Sequence, residues 1–91
     1  MNDRLYKCLS SRNRRRIIYC IGNERKCVND IAGCLELEQS LVSHHLKELM
    51  ECGLIEKKRK GKKIYYKVSE PEILELLEKG KELGDRLEEI C

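Results

Sequence analysis

Between Glu38 and Lys47 the chain sets Gln39, Ser40, Ser43, His44 and Lys47 largely on one side of a helix, with Val42, Leu46, Leu49 and Met50 as an apolar stripe on the other. Amide, hydroxyl and imidazole groups of this reach donate to and accept from base edges, and the major groove of a duplex is wide enough to admit a helix. An ordinary surface helix with a few serines is the plainer reading of the segment alone, although a merely solvated face would carry more Glu and Lys. Downstream, seven cations, Lys57, Lys58, Arg59, Lys60, Lys62, Lys63 and Lys67, stand against the single acid Glu56 in a short hairpin that turns at Gly61. That density suits phosphate contact, since each neutralised phosphate releases bound counterions. Lysines that only keep an edge hairpin soluble are the alternative.

The other reactive groups are six cysteines and two histidines. His44 and His45 are neighbours whose side chains point about 100° apart on a helix, so they do not share one ion. Cys27 and Cys34 are separated by a rise of about 10.5 Å, too far to chelate together. Cys20 and Cys91, on a second and a last helix, could meet as a redox pair or ligate a thiophilic ion. The chain has no Cys-x-x-Cys, no phosphate-cradling glycine loop and no Cys/His arrangement that spacing supports, which argues against a thiol enzyme or metal carrier. No apolar run approaches a membrane span, and the opening MNDRLYKCLSSRNRRR does not resemble a signal peptide. A cytoplasmic location is expected, with the cysteines as reduced thiols or metal ligands and not as structural disulfides.

Positioning these groups falls to a small aliphatic scaffold. The 91 residues make one domain, with no Phe, no Trp and four Tyr, and a chain of this size buries only about 60–65% of its unfolded surface. Burial against a second copy would help. Residues 1–69 hold 16 basic and 8 acidic side chains, a balance of +8, whereas residues 70–91 hold 3 and 8, a balance of −5. The front of the chain favours an anionic partner and the tail does not.

The periodicity predicts five helical segments and one hairpin. Asp3 to Leu9 forms a short helix, and Ser11 caps a second that runs to about Ile21 with Ile17, Ile18 and Ile21 inward. Gly22-Asn23 breaks it. Cys27 to Leu35 gives a third, which pairs with the polar-faced fourth as a helix-turn-helix. Gly53 is the expected cap of the fourth, before strands at Leu54 to Arg59 and Lys62 to Val68. Ser69-Glu70-Pro71-Glu72 reads as a capping box that launches the last helix. On it Ile73, Leu77, Gly80, Gly84, Leu87 and Cys91 repeat at 4, 3, 4, 3, 4, widened by Leu76, Leu83 and Ile90. Such a seam packs on the chain's own core or, as favoured here, pairs with a second copy, its glycines letting another backbone approach. A symmetric dimer then sets two reading helices on one DNA face.

From Leu5 to Val68 the chain resembles the ArsR/SmtB family of small winged-helix repressors, through LYKCLSSRNR, QSLVSHHLKEL and ECGLIEKKRKGKKIYY and then the closing apolar helix. The resemblance implies a mainly α fold with a small β-hairpin wing, four helices before the hairpin and one after. It implies a single winged helix-turn-helix domain over 1–91, with 1–10 and 70–91 as dimerisation helices and Leu5, Ile73, Leu77, Gly80, Gly84 and Leu87 at the interface. It assigns base contacts to Gln39, Ser40, Ser43 and His44, and backbone contacts to Arg59, Lys60 and Lys62; Lys47 joins them from its place on the polar face. Glu38 stands where relatives commonly carry a serine-like cap, and its charge favours the helix dipole yet repels phosphate.

The family's sensing sites are only partly present. Its Cys-Val-Cys-Asp motif reads Cys27-Val28-Asn29-Asp30 here, and residues 70–91 hold no histidine for a zinc site of the family type. Some relatives join an N-terminal cysteine of one subunit to the third-helix cysteine of the other, which makes Cys8 with Cys27 a candidate soft-metal pair. Cys8, Cys34 and Cys52 fall where relatives place alanine and are expected to fill the core. The expected function is a homodimeric, non-enzymatic repressor of double-stranded DNA, relieved by a thiol-reactive metal, metalloid or oxidant and needing no cofactor to fold. A winged-helix protein-interaction module, or a regulator without such sensing, is the alternative.

Overall fold

In a computed structural model that describes residues 3–90, with side chains through Glu88, the aliphatic pattern becomes five helices and three short strands. α1 (Asp3–Leu9) leads into α2 (Arg12–Ile21). The Ser11 hydroxyl accepts the Arg14 N–H at 3.3 Å, the expected cap, and Gly22 ends α2 with φ 57°. β1 (Arg25–Lys26), α3 (Val28–Leu35) and α4 (Gln39–Glu51) follow, then β2 (Ile55–Lys60), β3 (Lys63–Val68) and the long α5 (Pro71–Ile90). Cys27 caps α3 from outside the helix, and Gly61 turns the hairpin.

The end of α4 decides where the hairpin goes. The Leu54 N–H donates to the Leu49 carbonyl and the Gly53 N–H to the Met50 carbonyl, each at 3.0 Å, with Gly53 at φ 77°. This closing pattern needs one left-handed residue, which glycine supplies without a Cβ clash. Leu49 and Leu54 are both buried, so the reversal is packed as well as bonded.

Ile17, Ile18 and Ile21 of α2, Ile31 of α3, and Val42, Leu46 and Leu49 of α4 form the centre of the core, each no more than 1% exposed. Leu54, Ile55, Tyr66 and Val68 close it from the sheet, and Ile73 and Leu77 from α5. The last two were expected at a subunit interface; instead they lie within the protomer, because the first two turns of α5 pack back on its own core.

Three further expectations need correction. The sheet has three strands in the order β1-β3-β2, with Arg25 opposite Lys67 and Lys26 opposite Tyr66; two residues are too short to leave an alternation in the sequence. The Ser69 hydroxyl does not cap α5 but donates to the Gly53 carbonyl at 2.7 Å, tying the end of the hairpin to the end of α4. Cys8 and Cys52 are not independent thiols but a disulfide, with their Cα atoms 6.6 Å apart. The pairing arises because the last turn of α1 packs beside the cap of α4, a proximity invisible at a separation of 44 residues. Closing a loop of that length restrains the unfolded chain by about 4 kcal/mol in the chain-entropy description.

His45 sits against this packed side, with Nδ1 buried and lacking a hydrogen-bond partner. Burial first, and then the Arg14 guanidinium, hold its pKa below the ordinary 6.5. The unfolded chain therefore takes up this proton more readily than the folded one. The stabilisation is full above the ordinary value and is lost as pH falls through the lowered one. Urea midpoints are expected to fall between about pH 7 and pH 5, with His45→Gln flattening the decline; an identical slope in the variant would contradict the assignment. Leu46→Ala, which empties a wholly enclosed site, is expected to lower stability by about 2–5 kcal/mol in the same titration.

Candidate nucleic-acid interface

Burying Val42, Leu46 and Leu49 turns the opposite side of α4 to solvent, where Gln39, Ser40, Ser43, His44 and Lys47 are all exposed. Glu38 precedes the helix with no side-chain cap, leaving the first-turn N–H groups and the positive end of the helix dipole beside Gln39 and Ser40. The Gln39 amide donates to Asn29 Oδ1 at the start of α3. Asn29 in turn lines an open cleft of about 400 Å³ with Cys27, Asp30, Lys62 and Lys63. The start of the polar helix and the basic hairpin tip thus flank one residue, and the sequence-predicted groups of the two elements share a side of the molecule.

His44 is held. Its Nε2 lies 2.9 Å from Glu48 Oε1 one turn on, and the other carboxylate oxygen of Glu48 pairs with Arg14 of α2. Sequence reasoning missed both partners. The i, i+4 spacing of His44 and Glu48 was available as a signal, whereas the link to Arg14 spans 34 residues and was not.

Strand alternation divides the cations of the sheet between its faces. Lys58, Lys60, Lys63 and Lys67 share one face with Tyr65, and Arg25 of β1 lies over that ring at 5.6 Å from its centroid. Lys57 and Arg59 project from the other face, and the Arg59 Nε–H donates to the Gly61 carbonyl at 3.3 Å. Arg59, Lys60 and Lys62 are all exposed at the tip. Lys58 is met by Glu56 at 3.6 Å. Arg25 is a cation that sequence reasoning left out, because β1 itself went unrecognised.

The cysteines are not where core filling would put all of them. Cys8 is buried and Cys52 half-buried, but Cys34 is exposed, since Ile31 and Ala32 form the wholly inward side of α3. Cys34 instead approaches Cys20 of α2. Burial first, and then this neighbouring thiol, push Cys20 up to about 11. Lys26 Nζ stands 4.0 Å from Cys20 Sγ and also bonds the Cys20 carbonyl. Cys27 is half-buried at the start of α3, with Cys8 engaged elsewhere in the same chain, and Cys91 lies outside the described residues. Among the described residues no group of three or more His, Cys, Asp or Glu side chains is placed to hold a metal ion, so the arrangement does not fit a multi-ligand metal centre within one protomer.

A second open cleft, mostly apolar and about 610 Å³, runs between α1, α2 and α5 and is lined by Tyr6, Leu9, Tyr19, Leu76, Leu77 and Gly80 among others. Tyr6, Leu76, Leu83 and Leu87 are exposed large apolar side chains beside or beyond it. Leu5 is half-buried. A Cβ built at Gly80 or Gly84 meets nothing within 4 Å. No helix among the described residues is long and apolar enough to cross a membrane.

Residues 11–57 match the family model for bacterial regulatory proteins of the arsR family. Over 76 residues the chain is 36% identical to the cadmium resistance transcriptional regulatory protein CadC of Listeria innocua, covering 82% of this chain and 64% of that protein. Identity is also 36% over 76 residues to the arsenical resistance operon repressor of Bacillus subtilis, covering 82% and 72%. The chain thus spans somewhat less than two thirds of the length of the cadmium regulator. Its backbone resembles the homodimeric winged helix-turn-helix DNA-binding domain of a Mycobacterium bovis protein, with a TM-score of 0.82 at 24% identity, over 91% of this chain and 77% of that one. The mostly helical fold with its small antiparallel sheet is a winged helix-turn-helix. With residues 11–57 matched and the identity to a regulator extending over 82% of the chain, this protein belongs to the arsR family of bacterial regulatory proteins.

Proposed function

We propose that the protein is a homodimeric, cytoplasmic transcriptional repressor that occupies operator DNA, reads bases with α4 and holds phosphates with the β2–β3 wing, and has no catalytic role. The observation that carries this reading is the exposure of Gln39, Ser40, Ser43, His44 and Lys47 on a helix whose other side is wholly enclosed, next to a hairpin tip bearing Arg59, Lys60 and Lys62. Hydrogen-bonding groups on the helix give sequence choice, and the cations give register and affinity.

The relatives named for cadmium and arsenical resistance support relief by a thiol-reactive agent. Four of the five described cysteines come as pairs, Cys8 with Cys52 and Cys20 with Cys34, with Cys27 outside either pair, so relief within one protomer would work through two sulfurs at a time. The second copy is supported by the exposed apolar side chains of α1 and α5, with Leu5, Gly80, Gly84 and Leu87 as the seam and Ile73 and Leu77 as the internal packing beneath it.

Ser43→Ala and His44→Ala are expected to cost about 1–3 kcal/mol on the preferred site and much less on unrelated duplex, narrowing the discrimination. Lys60→Ala is expected to weaken all duplexes alike and to lower the slope of log affinity against log salt by about 1. Equal losses on every sequence from the helix variants would reject base reading by α4. A Cβ at Gly80 meets nothing within 4 Å in its own protomer, so Gly80→Leu should leave the melting of the monomer intact while shifting sedimentation from dimer to monomer; an unchanged dimer would place the seam elsewhere.

A further inference from the structure

The half-cystine pair Cys8–Cys52 joins the two parts of the molecule that a DNA-binding dimer must keep in register. Cys8 ends α1, the helix that presents Tyr6 beside the apolar cleft, and Cys52 caps α4. Cys8 Sγ also lies 3.8 Å from the Glu48 carbonyl oxygen. The same Glu48 holds His44 through one carboxylate oxygen and Arg14 through the other. An unbroken line of contacts therefore runs from the sulfur pair, through one turn of helix, to a side chain assigned to base reading. The pair opens on a cleft of about 410 Å³ lined by Arg4, Lys7, Arg14, Glu48 and Glu51.

We propose that Cys8 and Cys52 form a reversible dithiol–disulfide switch, closed by a hydroperoxide, whose closed state lowers affinity for operator DNA. This rests on the reading of α4 as the DNA-contacting helix and adds the site and the agent of its control. Cys52 is the half-exposed member and Cys8 the enclosed one, at 2% exposure, so Cys52 meets the oxidant and Cys8 resolves it. The Cys52 thiolate attacks the terminal oxygen of the hydroperoxide, the O–O bond breaks, and the departing alkoxide takes a proton and leaves as the alcohol. The Cys52 sulfenic acid is then attacked by the Cys8 sulfur. The S–S bond forms, the S–O bond breaks, and the hydroxyl leaves as water with the Cys8 proton. Two thiols have lost two electrons and two protons, and one hydroperoxide has become one alcohol and one water. A small dithiol reductant reverses the change by exchange.

The sign follows from what the closed state holds. With the bond in place the last turn of α4 moves as one piece with α1, and the carboxylate of Glu48 in that turn holds His44. The bonded turn then cannot adjust to a groove independently of α1. With the bond open, that turn answers to the DNA groove.

The test uses the full chain, with all its cysteines, and a duplex that the dithiothreitol-reduced protein selects from a random-sequence pool. Affinity for that duplex is measured by titration before and after treatment with cumene hydroperoxide, and peptide mass spectrometry identifies the bonded cysteines. The expected result is a Cys8–Cys52 linkage accompanied by a loss of affinity of at least about fivefold, the lower end of ordinary coupling between sites. The loss should reverse with dithiothreitol and be absent in both Cys52→Ser and Cys8→Ser. Cys52→Ser changes the half-exposed member, so it keeps the test valid should Cys8→Ser fail to fold. Unchanged or tighter binding on closure overturns the switch, as does a loss that persists in Cys52→Ser. A reduced protein that binds its selected duplex yet ignores the oxidant refutes the switch alone; one that enriches no duplex refutes the reading of α4, and the switch with it.

Discussion

The apolar side of α4 governs everything its polar side can do. Val42, Leu46 and Leu49 share one core with the isoleucines of α2 and α3, and none is measurably exposed. A helix so seated has no rotational freedom. Turning it by one residue would swing Ser43 toward the interior and Val42 into water, losing both a buried side chain and a hydroxyl's hydration. The direction in which Gln39, Ser40, Ser43, His44 and Lys47 point is therefore a property of the aliphatic interior more than of those residues themselves. The reversal at Gly53 then passes this orientation to the hairpin, which leaves α4 at an angle set by two backbone hydrogen bonds and a hydroxyl from Ser69.

Charge is distributed in the same two-sided way. The sheet collects cations on strands that need only part of their surface for packing, and its outward face spaces Lys58, Lys60, Lys63 and Lys67 around Tyr65 and Arg25. Seven of the sixteen carboxylates stand on α5, a helix that makes few close approaches to the rest of the chain beyond its first turns. Self-repulsion on the sheet face is tolerated because water screens it. Glu48 has a different part: a half-buried acid facing Arg14 and His44, it organises local structure instead of diluting charge.

Much of this was legible in the residues. The helices and their starts could be read because amphipathic spacing and caps are local signals, and Ser11 behaves as its type suggests. The two faces of α4 could be read for the same reason. What escaped detection depends on contacts distant in sequence or on segments too short for a period. β1 is two residues long; Arg14 meets Glu48 across 34 positions; Cys8 meets Cys52 across 44. Ser69 has the right type and spacing for a cap but finds the Gly53 carbonyl closer to hand. For Cys34, an expected place in the core yields to the geometry of α3, whose wholly inward side is already filled by Ile31 and Ala32. The seam on α5 was seen as one stripe because periodicity cannot tell a helix's own core from a neighbour's surface, and Ile73 and Leu77 prove to belong to the former.

The short strand β1 has a consequence beyond completing the sheet. It covers one side of β3 at Tyr66 and Lys67, leaving as margins Arg25–Lys26, the Lys63–Tyr65 stretch of β3 and the lysine-rich β2. Unpaired backbone at a sheet margin is where copies of a chain tend to zip together, and like charge on both margins opposes it. Contact between copies through the sheet edge is thereby disfavoured, and most of the large apolar side chains left exposed lie on helices.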